Sequence, residues 1–506
     1  MAETATSERN GKEHSSNSIS NAKGDVDLDD VIYDWSAHGL TILKRHRSPR
    51  SPLKWLYLAF IVCAWAACIG HIWQAVNRYL LFDVNVNVHF IAEGYEFPAI
   101  TICNLSPVRH SKVDKEIIEA LVDLNTEILN ITLRSDGPHR GLSHHGMLEA
   151  ELRYVLHTEK KSFKEVGHRL EDLVIQCTFH GHDCDIKKMF HYWPHGTYGA
   201  CYTFDSTSIE RANFVGSNFG LSLALYANQP EYLEHQVDSV GFRIETHHPS
   251  YPPMPAELGI SIGAGFATSI AIKKQKVTRL DLAYLGSNTC AAGDDLRLGF
   301  DKEMIHRWRD ISGQLNYTLL GCIKSCLASH FVEQCGCVDA EITPYEYVNE
   351  TLKACHYLNE SQEKCKQQVM ANIEAGVKCN YAHCPQPCTA VTYDMRMSHI
   401  KWPRPSFLAN KAPIWREKHP VLANASMEQV LGGIMKVDIY FMDFECKLTE
   451  QVRAMDIFQL MSDIGGTMGL YAGMSFLTAL ELFDVLWTKA SQCKKRRVHA
   501  VSQSSS

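Results

Sequence analysis

Trp55–Ala75 reads WLYLAFIVCAWAACIGHIWQA, with no Asp, Glu, Lys or Arg. At 1.5 Å per helical residue these 21 positions reach about 31 Å, one bilayer core. The stretch predicts a transmembrane helix. Trp55 and Tyr57 at one end, and Trp73 and Tyr79 at the other, stand where interfacial aromatics belong. It starts too late and runs too long for a cleaved signal sequence. A second apolar stretch, Ile457–Trp487, is interrupted only by Asp463, Glu481 and Asp484. Two spans put both ends of the chain on one side.

Basic residues choose the side. Lys44, Arg45, Arg47, Arg50 and Lys54 precede the first span, and Lys489, Lys494, Lys495, Arg496 and Arg497 follow the second, so both ends are expected in the cytosol. All six Asn-x-Ser/Thr sequons, Asn104, Asn130, Asn316, Asn349, Asn359 and Asn424, lie between the spans, which agrees. Of 18 cysteines, 14 fall between Cys103 and Cys388, the usage of an oxidising compartment. A net charge of -7 implies no nucleic-acid partner. The expected division is a cytosolic N-terminal region (1–52), a first span (53–78), an extracellular domain (79–450), a second span with the pore (451–487) and a cytosolic tail (488–506). Residues 1–23, rich in Ser, Asn and charge, read as disordered.

After the first span, Val84, Val86, Val88 and Phe90 alternate with polar residues, the period of a half-buried strand, and FPAITICN (Phe97–Asn104) continues as a more apolar one. Lys115–Leu129 and Leu148–His157 carry helical spacing, whereas Val240–Glu245 and Ser269–Leu282 read as strands, an α+β pattern. From Cys290 to Cys388 the close cysteine spacings suggest helices stitched side by side.

Taken in order, His38-Gly39, FPAITICN, GACYTF (Gly199–Phe204), the cysteine block and DIGGTMGLYAGMSFLTALELFD (Asp463–Asp484) resemble the degenerin/epithelial sodium channel family, which includes acid-sensing and peptide-gated channels. The resemblance implies a trimer, homomeric or assembled with related subunits, whose second helices line a sodium-preferring, amiloride-blocked pore. Its extracellular domain would have palm, β-ball, knuckle, finger and thumb parts. The family pattern would pair Cys103 with Cys201, Cys177 with Cys184, Cys290 with Cys388, Cys322 with Cys384, Cys326 with Cys379, Cys335 with Cys365, and Cys337 with Cys355. Cys63, Cys68, Cys446 and Cys493 stay outside that scheme, Cys446 being expected within reach of external reagents. A zinc cluster of Cys379, His383, Cys384 and Cys388 competes by ligand type but loses its sulfurs to the pairing. No cofactor or metal is implied, and no catalytic constellation survives the pairing, so the chain is not expected to be an enzyme.

Gly465, Gly469 and Gly473 recur every fourth residue on one face of the second span, which read alone is a small-residue packing seam. By resemblance, Gly473, Met474 and Ser475 occupy the selectivity tract. Gly469, Glu481 and Asp484 join it in the cation pathway, because membrane-embedded carboxylates must face water or cations. Met474 departs from the small residue usual there. His38 and Gly39 match the family's gating motif, although an isolated His-Gly pair would be a solvated loop. Ser462, beside Asp463, matches a position where a small side chain lets the pore close. The hallmarks of the acid-sensing branch align with Asp83, Val88 and Ser287, which do not match them, so a neuropeptide is the favoured agonist. Proton gating and constitutive or mechanically influenced activity are the alternatives, and a non-conducting two-pass receptor is the reading from another class. The expected setting is the plasma membrane, with sodium ions and lipid as companions.

Overall fold

A computed structural model describes residues 52–92, 96–119, 121–123, 144–205, 214–233, 236–281, 290–291, 316–344, 352–356, 359–379 and 383–473. They form a helical unit, drawn from residues up to Val84 and from Arg453 onward, and a sheet unit, Asn85–Val452. His38, Gly39, Met474, Ser475, Glu481, Asp484, Asn130, Asn349, Ser287 and Cys493 lie outside the described residues.

The sheet unit is built on FPAITICN. Its strand β2 (Ala99–Asn104) is buried along its whole length and runs between β6 (Gly199–Phe204) and β8 (Gly241–His247) in a five-stranded sheet, order β5-β6-β2-β8-β9. Here β5 is Phe190–His195 and β9 is Ile260–Gly263. Cys103 faces Cys201 in register and is bonded to it. Phe97, just before β2, meets Phe204 of this sheet and Phe179 and Phe441 of the other edge to face, with ring centres 5.0 to 6.3 Å apart. Such contacts add stabilisation to the area they bury, which makes Phe97 the rivet between the sheets.

The second sheet has eight strands, in the order β1-β13-β10-β12-β7-β3-β4, with β11 beside β10. They are β1 (Val84–Ala92), β3 (Val174–Phe179), β4 (His182–Asp183), β7 (Leu221–Tyr226), β10 (Phe266–Thr278), β11 (Thr389–Lys401), β12 (Ile434–Phe441) and β13 (Glu445–Arg453). One long strand, β10, takes β12 as parallel partner over 267–272 and β13 over 275–278. Between these stretches Lys273 binds Asp443 and Glu445, at 3.2 and 2.7 Å, in the connection from β12 to β13. Cys177–Cys184 closes the β3–β4 hairpin.

Helices follow the apolar periods. In α2 (His144–Thr158) Leu148, Leu152 and Leu156 recur at helical spacing and are buried. Helices α3 (Leu319–His330) and α4 (Glu360–Glu374) are N-capped by the side chains of Thr318 and Asn359. Five disulfides nested in sequence staple this region: Cys290–Cys388 outside Cys322–Cys384, then Cys326–Cys379, Cys335–Cys365 and Cys337–Cys355. On the second sheet, α5 (Pro405–Lys418) lays Leu408, Ala412 and Trp415 against Ala224, Tyr226 and Ile434.

Two expectations are corrected. Strand β1 is present but not half-buried: Val86 is 57% and Phe90 59% exposed, and of its residues Ile91 alone packs against the core. Asn104, whose sequon is not among the expected glycan acceptors, is buried. It ends a fully buried strand, its amide donates to Ala227 O at 2.9 Å, and its Oδ1 accepts from Ser106 N and the Tyr232 hydroxyl. Cys446, outside the seven disulfides, is 1% exposed and packs in the main core, beyond reach of external reagents. Asn359 and Asn424 are exposed and Asn316 half-buried.

Candidate functional site: the paired helices

Helix α1 (Pro52–Leu80) contains the uncharged run, and Leu58–Leu80 has a mean hydropathy of 1.7. Among the described residues it is the one helix long and apolar enough to cross a membrane. The helix α6 (Ile457–Ala472) starts at Asp456, whose carboxylate accepts from Gln459 N at 2.6 Å, a favourable anion at a helix N-terminus. The Gln459 side-chain amide then donates to Asp463 at 2.9 Å. Where α1 ends, the Arg453 guanidinium lies 4.8 Å from the Phe82 ring centre and Ala454 N donates to Asp83 O at 2.9 Å. Lower down, the His71 and Tyr471 rings are 5.4 Å apart.

Between these helices a 490 Å³ cavity is lined by His71, Gln74 and Arg78 of α1 and by Ser462, Asp463 and Thr467 of α6, among others. The structure thus brings Ser462 and Asp463 together with three polar residues of the first helix. Those three escaped the sequence reading, although positions 71, 74 and 78 share one helical face in an otherwise apolar span. A Cβ added to Gly465 or Gly466 would meet nothing within 4 Å. The close approach that small residues permit is therefore not used between α1 and α6.

The second helix ends at Gly473. Its backbone takes φ 63° and ψ 23°, and its N–H closes on Gly469 O at 3.2 Å. This left-handed cap suits glycine, since any Cβ there would be strained. Carbonyls of a final helical turn lack intrahelical donors and remain available to other partners.

In the sheet unit, Glu151 of α2 lies 3.3 Å from His356 Nε2, and the His356 ring rests 4.1 Å from that of Tyr154. Burial raises the Glu151 carboxyl above its ordinary range, with His356 pulling the other way. Deeper inside, burial pushes Glu245 up to about 8, partly offset by the N–H of Met254. Burial also lowers His168 and His247 to about 4 and His195 to about 3.

The described residues thus pair an apolar helix with a second one and carry a disulfide-stapled sheet domain. A family model described as amiloride-sensitive sodium channel matches residues 33–485, and the chain belongs to that family. Its channels sit in the plasma membrane, and the sheet unit is the extracellular domain. Human acid-sensing ion channel 2 is 28% identical over 418 residues, 78% of this chain and 73% of that protein. The rat bile acid-sensitive ion channel is 25% identical over 474 residues, 91% of this chain and 87% of that one. Degenerin-like protein asic-1 of Caenorhabditis elegans is 29% identical over 345 residues, 67% of this chain and 39% of that one.

Proposed function

We propose that the chain is the pore-forming subunit of a trimeric, two-span, sodium-preferring and amiloride-blocked channel with both ends in the cytosol, opened by an extracellular ligand whose favoured class is a neuropeptide. Gly473 carries the reading. A helix that stops in a left-handed glycine at the first residue of Gly473-Met474-Ser475 leaves carbonyl oxygens to replace part of an ion's hydration shell. Gly469, Glu481 and Asp484 line the cation pathway, while His38, Gly39, Ser462 and Asp463 act in gating. Whole-cell recording in heterologous cells, with a peptide panel and acid steps, tests it. The expected result is an agonist-evoked, amiloride-sensitive inward current that reverses near the sodium potential, with Met474→Ala preserving or raising sodium preference. Surface-expressed protein that passes no current with any stimulus would overturn it.

A second reading, opening by protons, is favoured by the Glu151–His356 contact, because burial raises the Glu151 carboxyl and so eases its uptake of a proton as pH falls. Acid-evoked current that disappears in Glu151→Gln would select it.

A further inference from the structure

Cys326 and His330 are four residues apart on α3, so their side chains leave one helical face. Cys379, beyond the end of α4, reaches the same place. The two sulfurs and a ring nitrogen of His330 all lie within 4.8 Å of one another. Immediately after His330 the helix widens into a π-turn over Phe331–Cys335, a deviation that recurs at functional sites. That turn sets the Glu333 carboxylate 3.7 Å from His330 Nδ1 and the Gln334 amide 3.4 Å from the same nitrogen. Cys379 itself is held at φ 49°, in the left-handed region unfavourable to a residue with a Cβ. Were the bond between them broken, the two sulfurs and the imidazole would supply three of the four ligands of a zinc site, with a carboxylate beside the imidazole. The Cys326–Cys379 bond is what withholds the sulfurs.

We propose that reduction of Cys326–Cys379 unmasks a zinc site made of Cys326, His330 and Cys379, with Glu333 orienting the imidazole. A small monothiol suffices as reductant. Two R–SH molecules become one R–S–S–R, their sulfurs supply the two electrons that break the Cys326–Cys379 bond, and their two protons pass to the cysteine sulfurs. Zinc then displaces those protons and takes both sulfurs as thiolates. The set is not the sequence-level cluster of Cys379, His383, Cys384 and Cys388, since Cys384 and Cys388 are bonded to Cys322 and Cys290. In consequence, zinc and extracellular thiols act on this domain jointly rather than separately.

The test uses the full chain purified in detergent, treated with 2-mercaptoethanol with or without zinc chloride, then alkylated and mapped by peptide mass. Expected are retention of about one zinc per reduced chain and none on the oxidised chain, with zinc shielding Cys326 and Cys379, but not Cys335 and Cys365, from alkylation. Glu333→Gln, which leaves every sulfur in place, should weaken zinc retention by about 10-fold or more. His330→Ala should abolish it. Absence of zinc from the reduced wild type, shielding at other cysteines, or undiminished retention in His330→Ala would overturn the proposal.

Discussion

Strands β1 and β2 follow one another in the chain and both satisfy the composition of a strand, yet β2 is buried throughout and β1 is exposed at every residue but Ile91. The surfaces of α1 and α6 resemble β1: Leu470 is 80% exposed, and glycines of α6 face open space. Burial in β2 is completed by the chain's own strands and by Phe97. The apolar residues of β1, α1 and α6 wait for lipid or for other copies. One sequence therefore contains a core that a single chain closes and a surface that it leaves to its surroundings.

The comparison would break most visibly at Ser462. On the proposed trimer, with Ser462 where the second helices crowd, replacing it with Phe would cost about 1 to 3 kcal/mol per site, so roughly 3 to 9 kcal/mol for three copies in the closed state. About 5.5 kcal/mol moves a population from 1:99 to 99:1, enough to open a resting channel. Resting current relative to agonist-evoked current, at equal surface expression, should rise in Ser462→Phe while the melting temperature of the extracellular domain stays put. An unchanged ratio would show that Ser462 serves only the cavity beside α1.

Next in size is the contrast between the two strands. Ile102→Ala removes a side chain that is 0% exposed and should destabilise by about 2 to 5 kcal/mol. Val86→Ala in β1 should stay within about 0.5 kcal/mol when the chain is held monomeric in detergent. Thermal melts of the full chain compare them directly, and a large loss at Val86 would mean that β1 has a partner layer within its own chain.

What the sequence made legible follows the same division. FPAITICN announced a buried strand, and α2 and β8 were readable from their spacing, because their contacts are made inside the chain. The openness of β1 was not readable, since alternation reports which residues match a sheet's two faces and not whether a face is covered. Asn104 satisfies the sequon rule, and only its place at the end of an apolar strand hinted that its amide is spent on Ala227 and Tyr232. Cysteine spacing alone never supplies connectivity, so the disulfide pattern came from the family resemblance. The cavity was not legible: Ser462 and Asp463 were named for gating by resemblance, and His71, Gln74 and Arg78 were not singled out.

Smaller effects come from the ionisable groups of the closed core. Glu245 holds its proton up to about pH 8 when folded, against 4.5 when exposed. The stability it contributes is therefore fully present below pH 4.5 and is lost as pH rises through 8. His168 and His247 act in the opposite sense: their contribution is present above pH 6.5 and is lost as pH falls through 4. Melting temperature against pH should peak between the two losses, each group changing the slope by at most about 1.4 kcal/mol per pH unit. Glu245→Gln should flatten the alkaline side and, because the Glu245 loss already begins at pH 4.5, steepen the rise between pH 4.5 and 6.5; a mutant with the wild-type profile would place the alkaline loss elsewhere. The smallest expected effect is none at all. Asn104→Gln should leave the glycan mass of the purified protein unchanged, whereas Asn359→Gln and Asn424→Gln should each remove one glycan.

The nested order of the five disulfides that staple the region of α3 and α4 bears on how the protein is made. No bond in this set crosses another, from Cys337–Cys355 at the centre to Cys290–Cys388 outside. Once an inner pair is joined, the next pair outside it bridges a short residual segment rather than its full sequence separation, and the closure entropy shrinks accordingly. A crossed arrangement would offer no such sequence of easy steps. The nested topology thus lets every inner bond lower the closure cost of the one outside it.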